Sequence, residues 1–179
     1  MPRKRVEKES ILVLGGARSG KSTYALQRAQ AWTGQLVYLA TAEGKDAEMK
    51  ARIAAHRAQR RSRRWMTIEE PMDVVWQLKE LDDSVGAVVL DCLTLWVSNA
   101  MLAKRRDELE NQVAELVEEI PLFPFHFLAV SNEVGLGLVP DNPLGREYRD
   151  LLGTVNQQLA KVCKEVLFMA AGLSMKLKG

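Results

Sequence analysis

Eight consecutive residues, Gly15, Gly16, Ala17, Arg18, Ser19, Gly20, Lys21 and Ser22, carry the spacing Gly-x4-Gly-Lys-Ser. An apolar run, Ile11-Leu12-Val13-Leu14, precedes them and a helical pattern follows. Glycines accept φ angles that a Cβ disfavours and let backbone come close to a ligand. Successive N–H groups and the start of the following helix then face an anion. Lys21 adds positive charge for the β- and γ-phosphates of a nucleoside triphosphate, and the Ser22 hydroxyl is placed to ligate Mg²⁺. Such a loop needs an acidic partner near its cation. Asp91 ends the apolar run Ala87-Val88-Val89-Leu90, where a Mg²⁺-side carboxylate belongs; the same position also suits a helix N-cap. Glu133 is the rival. Ser131-Asn132-Glu133 follows the next apolar strand, and ligands of open α/β sheets gather at the carboxyl ends of strands. These residues could orient a substrate or activate a hydroxyl.

The second chemical feature is a block of charge. The formal net charge is only +2, yet residues 45–65 hold eight basic and two acidic side chains, while the chain outside this block and residues 1–9 is acidic on balance. A block of this kind is either a solvated helix face or an anion site, for nucleic acid or for the phosphates of a small ligand. If residues 45–62 are helical, Arg52, His56 and Arg60 lie four apart and share a face. Neighbouring cations depress the imidazole pKa, leaving a neutral His56 that can serve as base or nucleophile while the arginines hold phosphates. His126 lies between Phe125 and Phe127 and reads as structural.

The elements that must position these groups follow from apolar runs alternating with amphipathic stretches. Short strands are expected at 11–14, 36–40, 87–90, 125–130, 166–169 and 175–177. Helices are expected at 21–32, 45–62, 71–81, 93–103, 107–120 and 147–164, with Pro71 in the first turn of its helix. This alternation specifies an α/β fold with a mostly parallel central sheet flanked by helices. With 179 residues the chain suits one domain, residues 10–179, behind a basic leader, residues 1–9, expected to be flexible. Apolar residues make up 47% of the chain, but no run approaches the ~20 needed to span a bilayer, and the charged N-terminus is unlike a secretory signal. Two cysteines and two histidines exclude a disulfide framework and a His-rich metal site. These features imply a cytoplasmic protein.

Further motifs accompany the phosphate loop: Ala40-Thr41-Ala42-Glu43, Glu48-Met49-x-Ala51-Arg52-Ile53-x-x-His56-Arg57, Trp65-x-Thr67-x-Glu69-Glu70, Asp91-Cys92-Leu93-Thr94-Leu95-Trp96-Val97-x-Asn99, and Ser131-Asn132-Glu133-Val134-Gly135-x-Gly137-x-Val139-Pro140. Arg146-x-x-Arg149-Asp150 and Gly153-x-x-Asn156-Gln157 follow. As an ordered set, these resemble the bifunctional adenosylcobinamide kinase/adenosylcobinamide-phosphate guanylyltransferases of cobalamin synthesis, from about residue 11 to 179. The resemblance implies a RecA-like P-loop NTPase fold and a homotrimer. It also implies ATP or GTP with Mg²⁺, and a corrinoid substrate rather than nucleic acid. Two reactions are implied: phosphorylation of adenosylcobinamide, then transfer of GMP from GTP through a guanylylated histidine, here His56. By the same resemblance the nucleotide contacts fall on residues 15–22, Thr41, Ala42, Glu43, Arg57, Ala58, Gln59, Arg60, Glu69 and Asp91. Catalysis falls to His56, Lys21 and Asp91, with Ser22 and Asp91 toward the metal. A kinase that uses His56 only structurally is the alternative, and a nucleic-acid-binding ATPase ranks below both. The chain departs from the family's pattern at Cys163-Lys164-Glu165, in the compact segment 104–124, and in the extra basic residues 61–64.

Overall fold

A computed structural model describes residues 8–43 and 64–179. In chain order the elements are β1 (Ser10–Gly15), α1 (Lys21–Gln30), β2 (Gln35–Ala40), β3 (Trp65–Glu69), α2 (Val74–Lys79), β4 (Val85–Asp91) and α3 (Leu93–Leu102). Then come α4 (Arg106–Glu119), a 3₁₀ turn (Ile120–Leu122), β5 (His126–Val130), α5 (Pro143–Val162), β6 (Glu165–Ala170) and β7 (Leu173–Lys178). The strands form one sheet in the order β3-β2-β4-β5-β1-β6-β7. Every pairing is parallel except β6 with β7, a hairpin turned by Ala171 and Gly172, both at positive φ.

Alternating strand residues separate two apolar layers. Ile11 and Val13 of β1, Tyr38 of β2, Val89 of β4 and Leu128 of β5 pack with Ala25, Leu26 and Ala29 of α1. Leu12, Leu39, Leu90 and Phe127 point the other way, onto a layer from α2 to α5 that includes Trp96, Leu116 and Leu152. Burial on both faces explains why β1, β4 and β5 are continuous apolar runs in the sequence. The parallel arrangement brings the carboxyl ends of β1, β2, β4 and β5 to one edge. This is the RecA-like P-loop NTPase architecture expected above.

Two helix starts differ from expectation. Pro71 lies before α2, which begins at Val74. Glu70 Oε1 accepts the N–H groups of Met72 and Asp73 at 2.8 Å, and the Pro71 and Met72 carbonyls accept from Asn99, Trp96 and Gln112. Those groups serve tertiary bonds in place of a helical turn. α5 begins at Pro143, four residues earlier than expected, because Asn142 caps it by accepting from Gly145 N at 2.6 Å.

At the leader boundary, Glu9 N donates to His126 Nδ1 at 3.0 Å, Glu9 O accepts from Phe127 N at 2.9 Å, and its carboxylate pairs with Arg28. His126 is buried and stacks on Trp32 with ring centroids 4.2 Å apart, the structural role expected for it. Residues 1–7 and the basic segment 44–63 lie outside the described residues. The expected helix 45–62 falls there, with His56, Arg57, Ala58, Gln59 and Arg60.

Candidate active site

The loop between β1 and α1 is shaped by what touches it. A Cβ on Gly15 would lie 2.4 Å from Met169 O and 2.8 Å from Ser19 Oγ. Gly20 has φ +96°, and its Cβ would meet Gly172 Cα at 3.2 Å. Ser19 O accepts from Gly172 N at 3.0 Å. The β6–β7 hairpin therefore braces the loop, and these two glycines are required by packing as well as by backbone angle. Arg18 adopts φ +57°, unusual for a non-glycine residue, while Gly16, Ala17 and Arg18 are exposed. Gly20 stands at the N-cap of α1 with no side chain to cap it, leaving the helix's first N–H groups directed at the loop.

Lys21 is folded into this loop. Its Nζ donates to Gly16 O and, at 3.3 Å, to Ser19 Oγ. Burial lowers its pKa, while the negative charge of Asp91, and of Cys92 were it ionised, acts in the opposite direction. Ser22 is half-buried in the first turn of α1. Asp91 ends β4, in register with Ala40 of β2 and Val130 of β5. Only β5 separates β4 from β1, so two inter-strand steps, about 10 Å, lie between the two chain paths. The N-cap alternative for Asp91 does not hold: the cap of α3 is Cys92, in extended conformation. The Asp91 carboxylate instead accepts from Tyr38 OH at 2.9 Å.

Thr41 is fully buried. Its hydroxyl donates to Cys92 O at 2.7 Å and accepts from Cys92 N at 2.9 Å, while its own carbonyl accepts from Asn99 Nδ2 at 2.8 Å. This clamp ties the end of β2 to the residue following Asp91. Burial pushes the Cys92 thiol up to about 12, so it is not a nucleophile at neutral pH. Ala42 and Glu43 follow, both half-buried, and the exposed Glu69 ends β3 opposite Ala40.

On the other side of Asp91, Ser131 N donates to Val13 O at 3.0 Å and Glu133 N to Gly15 O at 3.2 Å. The segment after β5 is thereby fastened to the phosphate loop's own strand. Asn132 is held at both backbone groups: its N–H donates to Thr94 Oγ1 at 2.9 Å and its carbonyl accepts from Asn156 Nδ2 at 3.1 Å. Ser131 Oγ and Asn156 Oδ1 are buried without a partner among the described residues. Sequence reasoning missed the roles of Tyr38, Thr94, Asn99 and Asn156. The last three stand in the motifs quoted above, but nothing local marks them as supports. Tyr38 reads simply as one more residue of an apolar strand.

Among the described residues no cluster of three or more His, Cys, Asp or Glu forms a metal cage. The Ser22 hydroxyl and Asp91 carboxylate are hard oxygen donors. Few protein ligands, completed by phosphate oxygens and water, suit Mg²⁺. No helix among the described residues is long and apolar enough to cross a membrane.

The fold agrees with comparisons to known proteins. A family model described as cobinamide kinase / cobinamide phosphate guanyltransferase matches residues 11–177. The chain is 44% identical over 169 residues to a bifunctional adenosylcobalamin biosynthesis protein, CobP, of Pseudomonas aeruginosa, covering 94% of this chain and 96% of that one. It is 38% identical over 188 residues to the corresponding CobU protein of Escherichia coli, covering 94% and 99%. Among solved structures, the RadB recombinase aligns with TM-score 0.52 at 19% identity, over 89% of this chain and 73% of that one. A type III secretion system ATPase aligns with TM-score 0.52 at 12% identity, over 94% and 56%. These structural likenesses bear on the fold alone.

Proposed function

The chain belongs to the cobinamide kinase / cobinamide phosphate guanyltransferase family, and from that premise we propose how its residues divide two reactions. The enzyme phosphorylates adenosylcobinamide with a nucleoside triphosphate and then transfers GMP from GTP to the product, giving adenosylcobinamide-GDP and pyrophosphate. The observation that carries the assignment of roles is the convergence of the phosphate loop, Asp91 and the Glu133 segment on one edge of the sheet.

In the kinase step the substrate hydroxyl oxygen bonds to the γ-phosphorus and the bond to the departing nucleoside diphosphate breaks. Glu133 takes the hydroxyl proton. The loop N–H groups and Lys21 bind the phosphates and stabilise the charge that moves onto the leaving oxygen. Ser22 and Asp91 would hold Mg²⁺, which when bound would supply positive charge against the phosphates.

In the second reaction a His56 nitrogen bonds to the α-phosphorus of GTP and pyrophosphate leaves. An oxygen of adenosylcobinamide phosphate then displaces the histidine, closing the new diphosphate bond and restoring free imidazole. Dividing the transfer in two lets one nucleotide site serve both GTP and a bulky acceptor. Arg57 and Arg60 hold phosphate oxygens, with the backbone of Ala58 and Gln59 between them. Ala42, Glu43 and Glu69 complete the nucleotide contacts, and Thr41 positions the residue after Asp91. Resemblance supports placing the enzyme in the cytoplasm as a homotrimer, which sedimentation equilibrium would test.

The deciding experiment uses GTP labelled on the α-phosphate. Wild-type protein denatured after incubation should carry an acid-labile, alkali-stable label that is absent from His56→Ala. Active wild-type protein without label would sink the covalent route. His56→Ala should lose guanylyl transfer yet keep kinase activity.

A further inference from the structure

The segment after β5 leaves the phosphate loop and crosses open surface before entering α5. Its root is pinned by Glu133 N on Gly15 O, by the two bonds to Asn132, and by Val134 against the helical core layer. Its far end is pinned by Arg146 Nη1, which donates to Pro140 O at 2.9 Å and to Asp141 O at 2.7 Å, and by the Asn142 cap. Between these anchors the chain presents Leu136, Leu138 and Val139 at 78%, 96% and 61% exposure, continued by Leu144 at 53%. A stretch fixed at both ends whose apolar side chains all face water is costly unless something covers it.

We infer that this crest is the acceptor-binding surface: it takes the apolar, methyl-bearing edge of the corrin macrocycle and so brings the substrate's hydroxyl arm to the phosphates. The inference rests on the kinase/guanylyltransferase reading. It is carried by continuity, since the crest's root is hydrogen-bonded to Gly15 of the phosphate loop itself. Leu136 follows three residues after Glu133, whose N–H is bonded to Gly15 O, so a macrocycle lying on Leu136 and Leu138 is tied through that root to the loop where phosphate is transferred. The crest's exposure, with both ends anchored, also suits a ligand that must arrive and leave each turnover.

The test is the double variant Leu136→Ser, Leu138→Ser, whose side chains contribute nothing to the core, so an unchanged melting temperature is expected. Equilibrium dialysis with adenosylcobinamide and steady-state kinase kinetics are measured together. The expected result is a dissociation constant and an acceptor KM raised about tenfold, with the dissociation constant of a fluorescent GTP analogue within about twofold of wild type. Unchanged acceptor affinity overturns the inference. So does a change in sedimentation behaviour without a change in acceptor affinity, which gives the crest to a second copy of the chain. If wild-type protein binds adenosylcobinamide without phosphorylating it, the kinase reading fails and the crest is judged by dialysis alone. If wild-type protein binds no corrinoid, both fall.

Discussion

The Tyr38 hydroxyl, on a buried strand residue, donates to Asp91 Oδ2 at 2.9 Å across the β2–β4 pairing. One carboxylate oxygen is thereby occupied and the side chain is tied to β2. Tyr38→Phe should keep the fold, cost about 1 kcal/mol in denaturant stability, and lower kinase kcat several-fold. Asp91→Asn should reduce kcat by about a hundredfold or more, with the loss largest at low Mg²⁺. Titrating activity with Mg²⁺ for both variants separates orientation from ligation.

Lys21 serves both reactions if one phosphate loop does. Lys21→Ala should depress kinase and guanylyl transfer together, each by about a hundredfold or more. A variant that loses only one activity would show that the two reactions use separate triphosphate sites.

Asn99 is almost fully buried and its amide donates to the carbonyls of both Thr41 and Pro71. Asn99→Ala leaves those acceptors without a donor and should cost about 1–3 kcal/mol. Because Thr41 clamps Cys92, the same change should loosen Asp91 and reduce kinase kcat at temperatures where the variant is still folded. Urea unfolding followed by activity at 15 °C resolves the two effects.

His126 gives a pH signature. Burial, with the positive charge of Lys8, Arg28 and Lys164, lowers its pKa below the ordinary 6.5, against the opposing pull of Glu9. Its Nδ1 accepts from Glu9 N. The unfolded chain therefore takes up a proton near pH 6.5 that the folded chain refuses, so stability is present above that value and falls as pH drops below it. His126→Phe keeps a ring against Trp32 but removes both the acceptor and the titration. The stability gap between wild type and variant should narrow from pH 7.5 to 5.5 in urea melts.

Gly20→Ala places a Cβ at φ +96°, 3.2 Å from Gly172 Cα. Strain of about 1–2 kcal/mol is expected, together with weaker binding of a fluorescent GTP analogue. Gly153 lies in a helix with nothing within 4 Å of an added Cβ, and Gly153→Ala should leave both quantities intact or slightly raise stability.

Much of the fold was legible because two-sided burial writes itself as apolar runs. β1, β4 and β5 could be placed from Ile11, Val88 and Leu128 to within two residues. The phosphate loop was legible because its chemistry is contiguous. β3 was not read as a strand, because it is an edge strand with only Trp65 and Ile68 half-buried. The late start of α2 arises where backbone groups are satisfied from a distance: Asn99 and Trp96 reach the carbonyls before it, and no local pattern marks that. The same holds for the site's supports. Tyr38 and Asp91 are neighbours only through strand pairing, and Asn156 reaches Asn132 across the helix–sheet boundary. Spacing alone brings none of these pairs together. His56, whose role depends on the family resemblance, lies outside the described residues.

The hairpin bond from Gly172 N to Ser19 O has a consequence for how the enzyme is made. A ribosome delivers the phosphate loop early and its brace some 150 residues later. β1 likewise waits for both flanking strands, β5 and β6, which are translated long after it. A nascent chain can therefore hold the whole glycine-lysine sequence without a loop fit to grip a triphosphate. Nucleotide affinity should emerge only once the hairpin is free to fold onto the loop, and chains truncated at successive points before and after residue 172 would report that as a step.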